Sequence, residues 1–214
     1  MASERPPVVF LHGLGRSKLS LTGLRRFVER AGYETWARTY PSRRMTVAQA
    51  AGTIAEWVRE DLGDVPVLGV SHSLGGILAR HMAGMLRWKG LVMLAPPNRG
   101  SRLARVIDAH PLFRWFMGPA VRELAKPSKW PAPPVPFAVI AGSCALSVAN
   151  PVSWVTRPLA VFDADQPSDG TVAVAETRLP GMADFATVDA SHTWIMNHPK
   201  ARELILSFLS RGRF

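Results

Sequence analysis

The chain has 214 residues, of which 47% are hydrophobic, and a formal net charge of +10. This length and composition predict one globular domain with a substantial core, and the lone cysteine, Cys144, excludes a disulfide framework. No apolar stretch is long enough to span a bilayer, and no apolar signal segment precedes the first predicted strand, so we expect a soluble, cytoplasmic protein.

The positive charge does not by itself indicate a nucleic-acid partner. The arginines are scattered along the chain rather than gathered with aromatic residues in one element, and no nucleic-acid-binding motif is present. A basic, solvated surface explains this composition, with weak contact to an anionic membrane surface as the remaining option. We therefore expect no nucleic acid as a partner.

The first part of the chain alternates between strands and helices. Its predicted elements are, in order, a strand at 8–12, a helix at about 20–31, a strand at 33–39 and a helix at about 46–62. Thr46 is placed to cap the second of these helices. The first strand runs into the glycine-rich stretch 12–15, where the backbone is free to turn or to approach a ligand closely.

The stretch 65–76 predicts a buried strand that turns sharply into a helix. Residues 67–70 include no polar side chain, as expected for a strand covered on both faces, and apolar residues recur at helical spacing from Leu74. A bend this tight strains its central residue, Ser73, and requires small residues two positions before and after it. Ser71 and Gly75 meet that requirement.

The bend matches the nucleophile signature Gly-x-Ser-x-Gly, except that Ser71 replaces the first glycine. We interpret Ser73 as the nucleophile. Ser71 is rejected for that role, because a count from Ser71 leaves Gly75 without a function. The alternative is a glycine-rich turn with no nucleophile, such as a phosphate cradle.

The second part continues the alternation. Its predicted elements are a strand at 90–95, two helical pieces within 101–131, a strand at 137–141, a strand at 185–189 and a terminal helix at about 199–210. Together the six strands predict one α/β domain over 1–214, with a doubly wound, mostly parallel sheet and helices on both faces. A short helical insert at about 101–136 resembles a cap. Its aromatic residues either cover an acyl pocket or pack a helix on the sheet.

A serine nucleophile needs a base, and the base needs an acceptor that fixes its tautomer. His192 follows the last strand and is the candidate base, with capping or packing as the alternative. Asp169 is the candidate acid, because the chain can return to the carboxyl edge of the sheet there, although Asp-Gly is also a common turn dipeptide. Asp163 and Asp165 are reserve candidates.

Three other polar residues receive structural interpretations. Asp189 lies too close to His192 in sequence to approach its ring well. His72 flanks the nucleophile and is interpreted as a packing or hydrogen-bonding residue, and His12 as structural in its turn.

Attack on a carbonyl creates an oxyanion that must meet backbone donors already in place. The N–H of Leu74, directly after the nucleophile, is one candidate donor, and the N–H of Leu14 is the second. No recognised metal-ligand spacing is present, so we expect no metal and no cofactor.

Several short motifs occur together in one order along nearly the whole chain. They are His12-Gly-Leu-Gly15, Tyr40-Pro-Ser42, Ser71-His-Ser-Leu-Gly-Gly76, Ala95-Pro-Pro-Asn98, Gly100-Ser101, Ser168-Asp-Gly170 and Ser191-His-Thr193. This ordered set resembles a bacterial α/β-hydrolase of the small lipase and esterase type.

The resemblance implies a minimal form of that fold, which lacks the first two strands of larger relatives. It also implies a triad of Ser73, Asp169 and His192. The expected function is hydrolysis of a small-molecule acyl ester through a Ser73 acyl-enzyme. The alternatives are acyl transfer or thioester cleavage by the same residues, and a non-catalytic hydrolase-like binding protein. The sequence does not indicate the oligomeric state.

Overall fold

A single parallel sheet forms the centre of the protein. The structure, a computed structural model, describes residues 5–127, 130–145, 161–162 and 166–214. The strands are β1 Val8–Leu11, β2 Thr35–Trp36, β3 Val67–His72, β4 Trp88–Leu94, β5 Phe137–Gly142 and β6 Asp184–Val188. They lie in the order β2-β1-β3-β4-β5-β6, and every neighbouring pair is parallel.

Helices connect the strands and cover both faces of the sheet. They are α1 Thr22–Arg30, α2 Val47–Leu62, α3 Leu74–His81, α4 Arg102–Ala109, α5 Pro111–Met117, α6 Pro119–Ala125, α7 Val174–Thr177 and α8 Pro199–Arg211. Two 3₁₀ turns, Lys18–Leu21 and Ile195–Asn197, precede α1 and α8. Within the described residues, no helix combines the length and the apolar character that crossing a membrane requires.

The strand side chains divide between two hydrophobic clusters, one on each face of the sheet. In β1, Val9 and Leu11 join the cluster that contains α2, α3 and α6, whereas Val8 and Phe10 join the cluster that contains α1 and α8. This alternation follows from the two-residue period of a strand. Because both faces are covered, β1, β3 and β5 are buried along their whole length. The predicted doubly wound sheet is confirmed.

The predicted strand at 33–39 was too long. Only Thr35 and Trp36 pair, with Val8 and Val9 of β1, because β2 is the edge strand and has one neighbour. Arg38 instead turns toward the side-chain carboxylate of Asp61 at the end of α2.

The two helical pieces predicted within 101–131 are three short helices. Pro111 and Pro119 each stand at the start of a helix, where a missing N–H costs nothing. His110, before the first proline, has extended backbone, and Gly118, before the second, has φ of 82°. His110 and Pro111 thus separate the two predicted pieces, whereas Gly118 and Pro119 divide the second piece, whose apolar periodicity suggested one helix. The prediction for α2 was better, since Thr46 caps it by accepting the N–H of Gln49.

The bend between β3 and α3 brings the helix directly against β1. A methyl group added at Gly75 would lie 2.4 Å from the carbonyl oxygen of Leu11. Ser71, two residues before Ser73, is tolerated at this position. Its buried hydroxyl has a hydrogen-bond partner, because it donates to the carbonyl oxygen of Val92 at 3.4 Å. The substitution of the first signature glycine by Ser71 therefore leaves the bend intact.

We predict that Gly75→Ala lowers the free energy of unfolding by about 3 kcal/mol, because the new methyl group would collide with backbone and not with a flexible side chain. Gly52→Ala is the matched control: Gly52 lies inside α2 with no atom near the position of an added methyl group. That control should stabilise by about 0.5–1 kcal/mol. Urea unfolding followed by circular dichroism measures both, and equal effects of the two substitutions would contradict the argument.

Candidate active site

The candidate site lies at the carboxyl edge of the sheet. Ser73 comes directly after β3, His192 follows β6, and Asp169 lies in the chain between β5 and β6. The stretch 12–16 leaves β1 at the same edge, because β1 and β3 are parallel neighbours. In a doubly wound sheet this is the edge where ligands bind.

Ser73 has a strained backbone. Its φ is 53° and its ψ is −122°, and among the described residues Ser73 and Ala95 are the only two that are not glycine and have positive φ. The Ser73 N–H donates to the carbonyl oxygen of Leu94 at 2.9 Å, which fixes the bend against β4. Strain of this kind persists only where the surroundings impose it, and it concentrates at functional sites.

Asp169 and His192 are hydrogen-bonded to each other. His192 Nδ1 lies 2.7 Å from Asp169 Oδ2, and both residues are buried. Asp169 Oδ1 accepts the N–H groups of Thr171 and Val172 at 2.9 and 2.7 Å, so the carboxylate is held from both sides. A carboxylate that accepts the Nδ1 proton leaves the lone pair of Nε2 as the basic position of the His192 ring.

Of the other candidate acids, the structure describes Asp189 alone, and Asp189 does not contact His192 in the described residues. Asp189 is exposed at the end of β6. Asp163 and Asp165 lie outside the described residues. The described residues contain no group of three or more histidine, cysteine, aspartate or glutamate side chains that could hold a metal ion.

His72 joins the bend to the loop of His192. Its Nε2 donates to the backbone carbonyl oxygen of His192 at 2.9 Å, and the centres of the two rings are 4.7 Å apart. Burial, with a smaller contribution from the nearby His192, holds the pKa of His72 well below its usual value, so the ring is a neutral donor. In the described part of the chain no hydrogen bond joins the Ser73 hydroxyl to the His192 ring. Such bonds are often long when no substrate is bound.

The stretch 12–16 packs against the bend. A methyl group added at Gly13 would lie 3.2 Å from Ser73 Cβ and 3.0 Å from His72 Nδ1. Among the described residues, neither the N–H of Leu14 nor that of Leu74 has a hydrogen-bond partner. Two unpaired backbone donors therefore lie in segments that flank Ser73.

His12, Tyr40 and Ser42 hold this stretch in place. The rings of His12 and Tyr40 stack at 3.7 Å, the Tyr40 hydroxyl donates to the His12 carbonyl oxygen, and the Tyr40 N–H donates to His12 Nε2 at 3.2 Å. The Gly15 N–H donates to Ser42 Oγ at 2.9 Å. No supporting role was predicted for Tyr40 or Ser42, although their position after a neighbouring strand was a signal that they would reach this edge.

The pKa of His12 is lowered from 6.5 to about 4, chiefly because the ring is buried. Since Nε2 accepts the Tyr40 N–H, protonation of the ring would also break that hydrogen bond. His12 is therefore a neutral, structural residue.

Comparison with known proteins agrees with this geometry. A model of the alpha/beta hydrolase family matches residues 8–206. The chain belongs to the alpha/beta hydrolase family. A search of curated proteins by sequence found no significant match.

Three solved structures illustrate the similarity of fold within this family. The Bacillus licheniformis lipase BlEst2 in mature form has a TM-score of 0.74 at 20% identity, over 100% of this chain and 94% of the lipase chain. A metagenomic carboxyl esterase has a TM-score of 0.73 at 20% identity, over 99% and 77% of the two chains. The NocB thioesterase domain from the nocardicin cluster has a TM-score of 0.62 at 17% identity, over 97% and 95%.

We predict that His12 makes the hydrolase less stable in acid. The unfolded chain takes up a proton at His12 below about pH 6.5, but the folded chain resists it down to about pH 4. The free energy of unfolding therefore falls by about 3 kcal/mol over that interval on account of this residue. When urea unfolding is measured from about pH 7 to about pH 4, the free energy of unfolding should decline less steeply for His12→Gln than for the wild type. The exposed control His110→Gln should decline like the wild type, and parallel declines in all three proteins would refute the assignment.

Proposed function

We propose that this hydrolase cleaves carboxylic esters through an acyl-enzyme on Ser73. The observation that carries the proposal is the hydrogen bond between Asp169 and His192, at the same edge of the sheet as the strained Ser73. Membership of the family and the fold of the lipase and esterase neighbours support hydrolase activity.

The proposed reaction uses each group in turn. His192 Nε2 takes the proton of the Ser73 hydroxyl as Oγ attacks the ester carbonyl carbon, and the N–H groups of Leu14 and Leu74 receive the oxyanion. The protonated ring, stabilised by Asp169, then donates its proton to the leaving alcohol. Water deacylates Ser73 by the same sequence of steps.

Thioester cleavage and acyl transfer would use the same residues. The fold similarity to a thioesterase domain keeps the first of these as the second candidate function. Product analysis with an added alcohol distinguishes acyl transfer, which yields a new ester, from hydrolysis, which yields the free acid. A comparison of kcat/KM for an ester and a thioester of the same acyl group distinguishes ester cleavage from thioester cleavage. A non-catalytic binding protein would leave Ser73 unreactive toward a fluorophosphonate.

We predict that Ser73→Ala lowers kcat for p-nitrophenyl butyrate by at least about a thousandfold, because the nucleophile is lost. Ser71→Ala is the matched control, since Ser71 is a neighbouring buried serine whose hydroxyl is not the proposed nucleophile. The control should retain turnover, and both variants should keep the wild-type circular dichroism spectrum. Comparable turnover by Ser73→Ala and the wild type would exclude the Ser73 acyl-enzyme.

We also propose that an anionic membrane surface is a partner, through α5. This helix has no fully buried residue, and Met117 at its end is the α5 residue that packs, partly buried, against the core in the described part of the chain. Leu112, Phe113, Trp115 and Phe116 are all more than half exposed, up to 79% for Trp115. An apolar surface of this kind favours an interface with lipid or protein.

The charges around α5 favour anionic lipid. Arg43 places its guanidinium 4.8 Å from the centre of the Phe116 ring. The described part of the insert has two acidic residues, Asp108 and Glu123. Asp108 lies 3.8 Å from Arg122, and Glu123 accepts the N–H of Val47. The other charged side chains in the described part of the insert are positive and attract anionic headgroups.

We predict that replacing Trp115 and Phe116 together by serine weakens binding to vesicles of phosphatidylcholine and phosphatidylglycerol by about tenfold, because two large apolar side chains no longer enter the interface. The control is Met85→Ser, an exposed apolar residue near the amino end of β4. Co-sedimentation at low and high salt measures binding, which salt should reduce. The proposal would be contradicted if Met85→Ser lost as much vesicle binding as the double variant, or if the wild type bound pure phosphatidylcholine vesicles as well as the anionic ones.

A further inference from the structure

A basic cavity lies beside the stretch 12–16. Its volume is about 240 Å³, and its lining residues are Gly15, Arg16, Thr39, Tyr40, Pro41, Ser42, Arg43 and Arg44. Three of these side chains are arginines and none is a carboxylate. The cavity shares Gly15, Tyr40 and Ser42 with the contacts that hold the glycine-rich stretch in place.

Arg16 is half-buried without a counter-charge. Among the described residues its guanidinium has no hydrogen bond and no ion pair, and burial lowers the pKa of Arg16. A desolvated and unpaired guanidinium is unfavourable unless a partner arrives.

Arg80 shows how this protein treats a buried arginine that is structural. Arg80 Nε donates to the carbonyl oxygen of Pro131 at 2.7 Å, and its terminal nitrogens donate to the carbonyl oxygens of Asn98 and Trp130 at 3.0 and 3.2 Å. Its donors are therefore occupied by backbone carbonyls. Arg16 has no comparable set, so its donors remain available to a ligand.

Arg43 and Arg44 add to the positive charge of the same cavity. The stem of Arg43 passes close to Gly15, where an added methyl group would lie 3.7 Å from Arg43 Cδ. Both side chains are exposed at the rim of the cavity, and among the described residues neither forms an ion pair. Three guanidinium groups without carboxylate partners are suited to an anionic group with several oxygens.

The cavity is close to the proposed nucleophile. The charge of Arg16 contributes to the lowered pKa of His72, the residue before Ser73, and to that of His12. Arg16 is also two residues from Leu14, whose N–H is a proposed oxyanion donor. Gly15, which lines the cavity, is also two residues from Gly13, where an added methyl group would lie 3.2 Å from Ser73 Cβ. One substrate molecule that reaches both the cavity and Ser73 would fit this arrangement.

We propose that the pocket of Arg16, Arg43 and Arg44 binds an anionic group of the ester substrate, so that the substrate class is a carboxylic ester that also carries a phosphate or carboxylate. This inference rests on the proposed ester hydrolysis. The anionic group reaches the pocket either on a soluble ester or on a lipid headgroup, and the experiments below separate these sources.

The first experiment measures binding without turnover. Isothermal titration with inorganic phosphate should detect binding to the wild type, about tenfold weaker binding to Arg16→Gln, and wild-type binding to Arg26→Gln, an exposed arginine of α1. Because Arg16 is unpaired, Arg16→Gln should keep or raise the thermal midpoint of unfolding, which shows that weaker binding is not misfolding. Equal phosphate binding by all three proteins, or none by the wild type, would overturn the proposal.

The second experiment compares kcat/KM for short-chain dibutyryl phosphatidic acid, which is soluble, with that for neutral dibutyrylglycerol. The ratio of kcat/KM for the anionic ester to kcat/KM for the neutral ester should fall by about tenfold in Arg16→Gln and in Arg43→Gln. The same ratio should not change in Arg26→Gln. A carboxylate source is tested in the same way with mono-p-nitrophenyl glutarate against p-nitrophenyl butyrate.

The outcomes distinguish the pocket from the reaction. If the kcat/KM ratio falls only for long-chain phosphatidic acid in vesicles, the anionic group that the pocket binds is a lipid headgroup and not part of a soluble ester. If Ser73→Ala abolishes turnover but no variant changes the ratio, the subsite fails and ester hydrolysis stands. If phosphate binds through Arg16 but no ester is cleaved, the anion site stands and the proposed reaction fails.

Discussion

The close approach of α3 to β1 is the constraint on which the rest of the site depends. Gly75 has no room for a side chain next to the Leu11 carbonyl oxygen, so the chain must reverse within Ser73, at a φ of 53°. The register that pairs Leu11 with Ser71 makes the segments after β1 and β3 leave the sheet side by side. As a result, Gly13 packs on Ser73, and the unpaired N–H groups of Leu14 and Leu74 flank the same residue. A helix start supplies such a donor without any further residue, since its first N–H groups have no partner within the helix.

The histidines at this edge differ in what protonation would do to them. His12 accepts a backbone N–H and His72 donates to a backbone carbonyl, and burial lowers the pKa of both. Among the described residues neither ring has a carboxylate partner that would compensate a positive charge. His192 is the ring that faces a carboxylate, and the two backbone donors on Asp169 Oδ1 direct Oδ2 toward it. The contacts of Asp169 therefore orient the His192 ring for the proposed reaction, while burial keeps His12 and His72 neutral.

Sequence patterns predicted the strands, the helix cap and the edge of the sheet where the candidate site lies. Apolar runs located β3 and β5, Thr46 marked the start of α2, and the rule for parallel sheets brought Asp169 and His192 to one edge. The turn and acid interpretations of Asp169 proved compatible, because one carboxylate oxygen accepts turn N–H groups and the other faces His192. Sequence patterns did not predict contacts between distant loops. The length of β2 depends on how many residues find a partner in β1, and the support of Gly15 by Ser42 depends on a neighbouring strand. The break at Gly118 and Pro119 was visible but was outweighed by the apolar periodicity of the second predicted helical piece.

The buried Arg80 and the half-buried Arg16 show why net charge alone says little about a ligand. Arg80 is part of the framework, because the carbonyl oxygens of Asn98, Trp130 and Pro131 replace the water it loses. Arg16 is partly desolvated, and within the described residues no carbonyl oxygen replaces the lost water. The desolvation of its guanidinium therefore costs free energy, which a bound anion would offset. That relief would come only when the anion is bound, so it adds to substrate affinity and not to the stability of the free protein. An arginine held in this state beside a proposed oxyanion donor also imposes a positive potential where negative charge would develop on the ester, and a substrate anion would partly neutralise it. The distance between the anionic group and the ester in the substrate would then decide how much of that potential remains for the transition state.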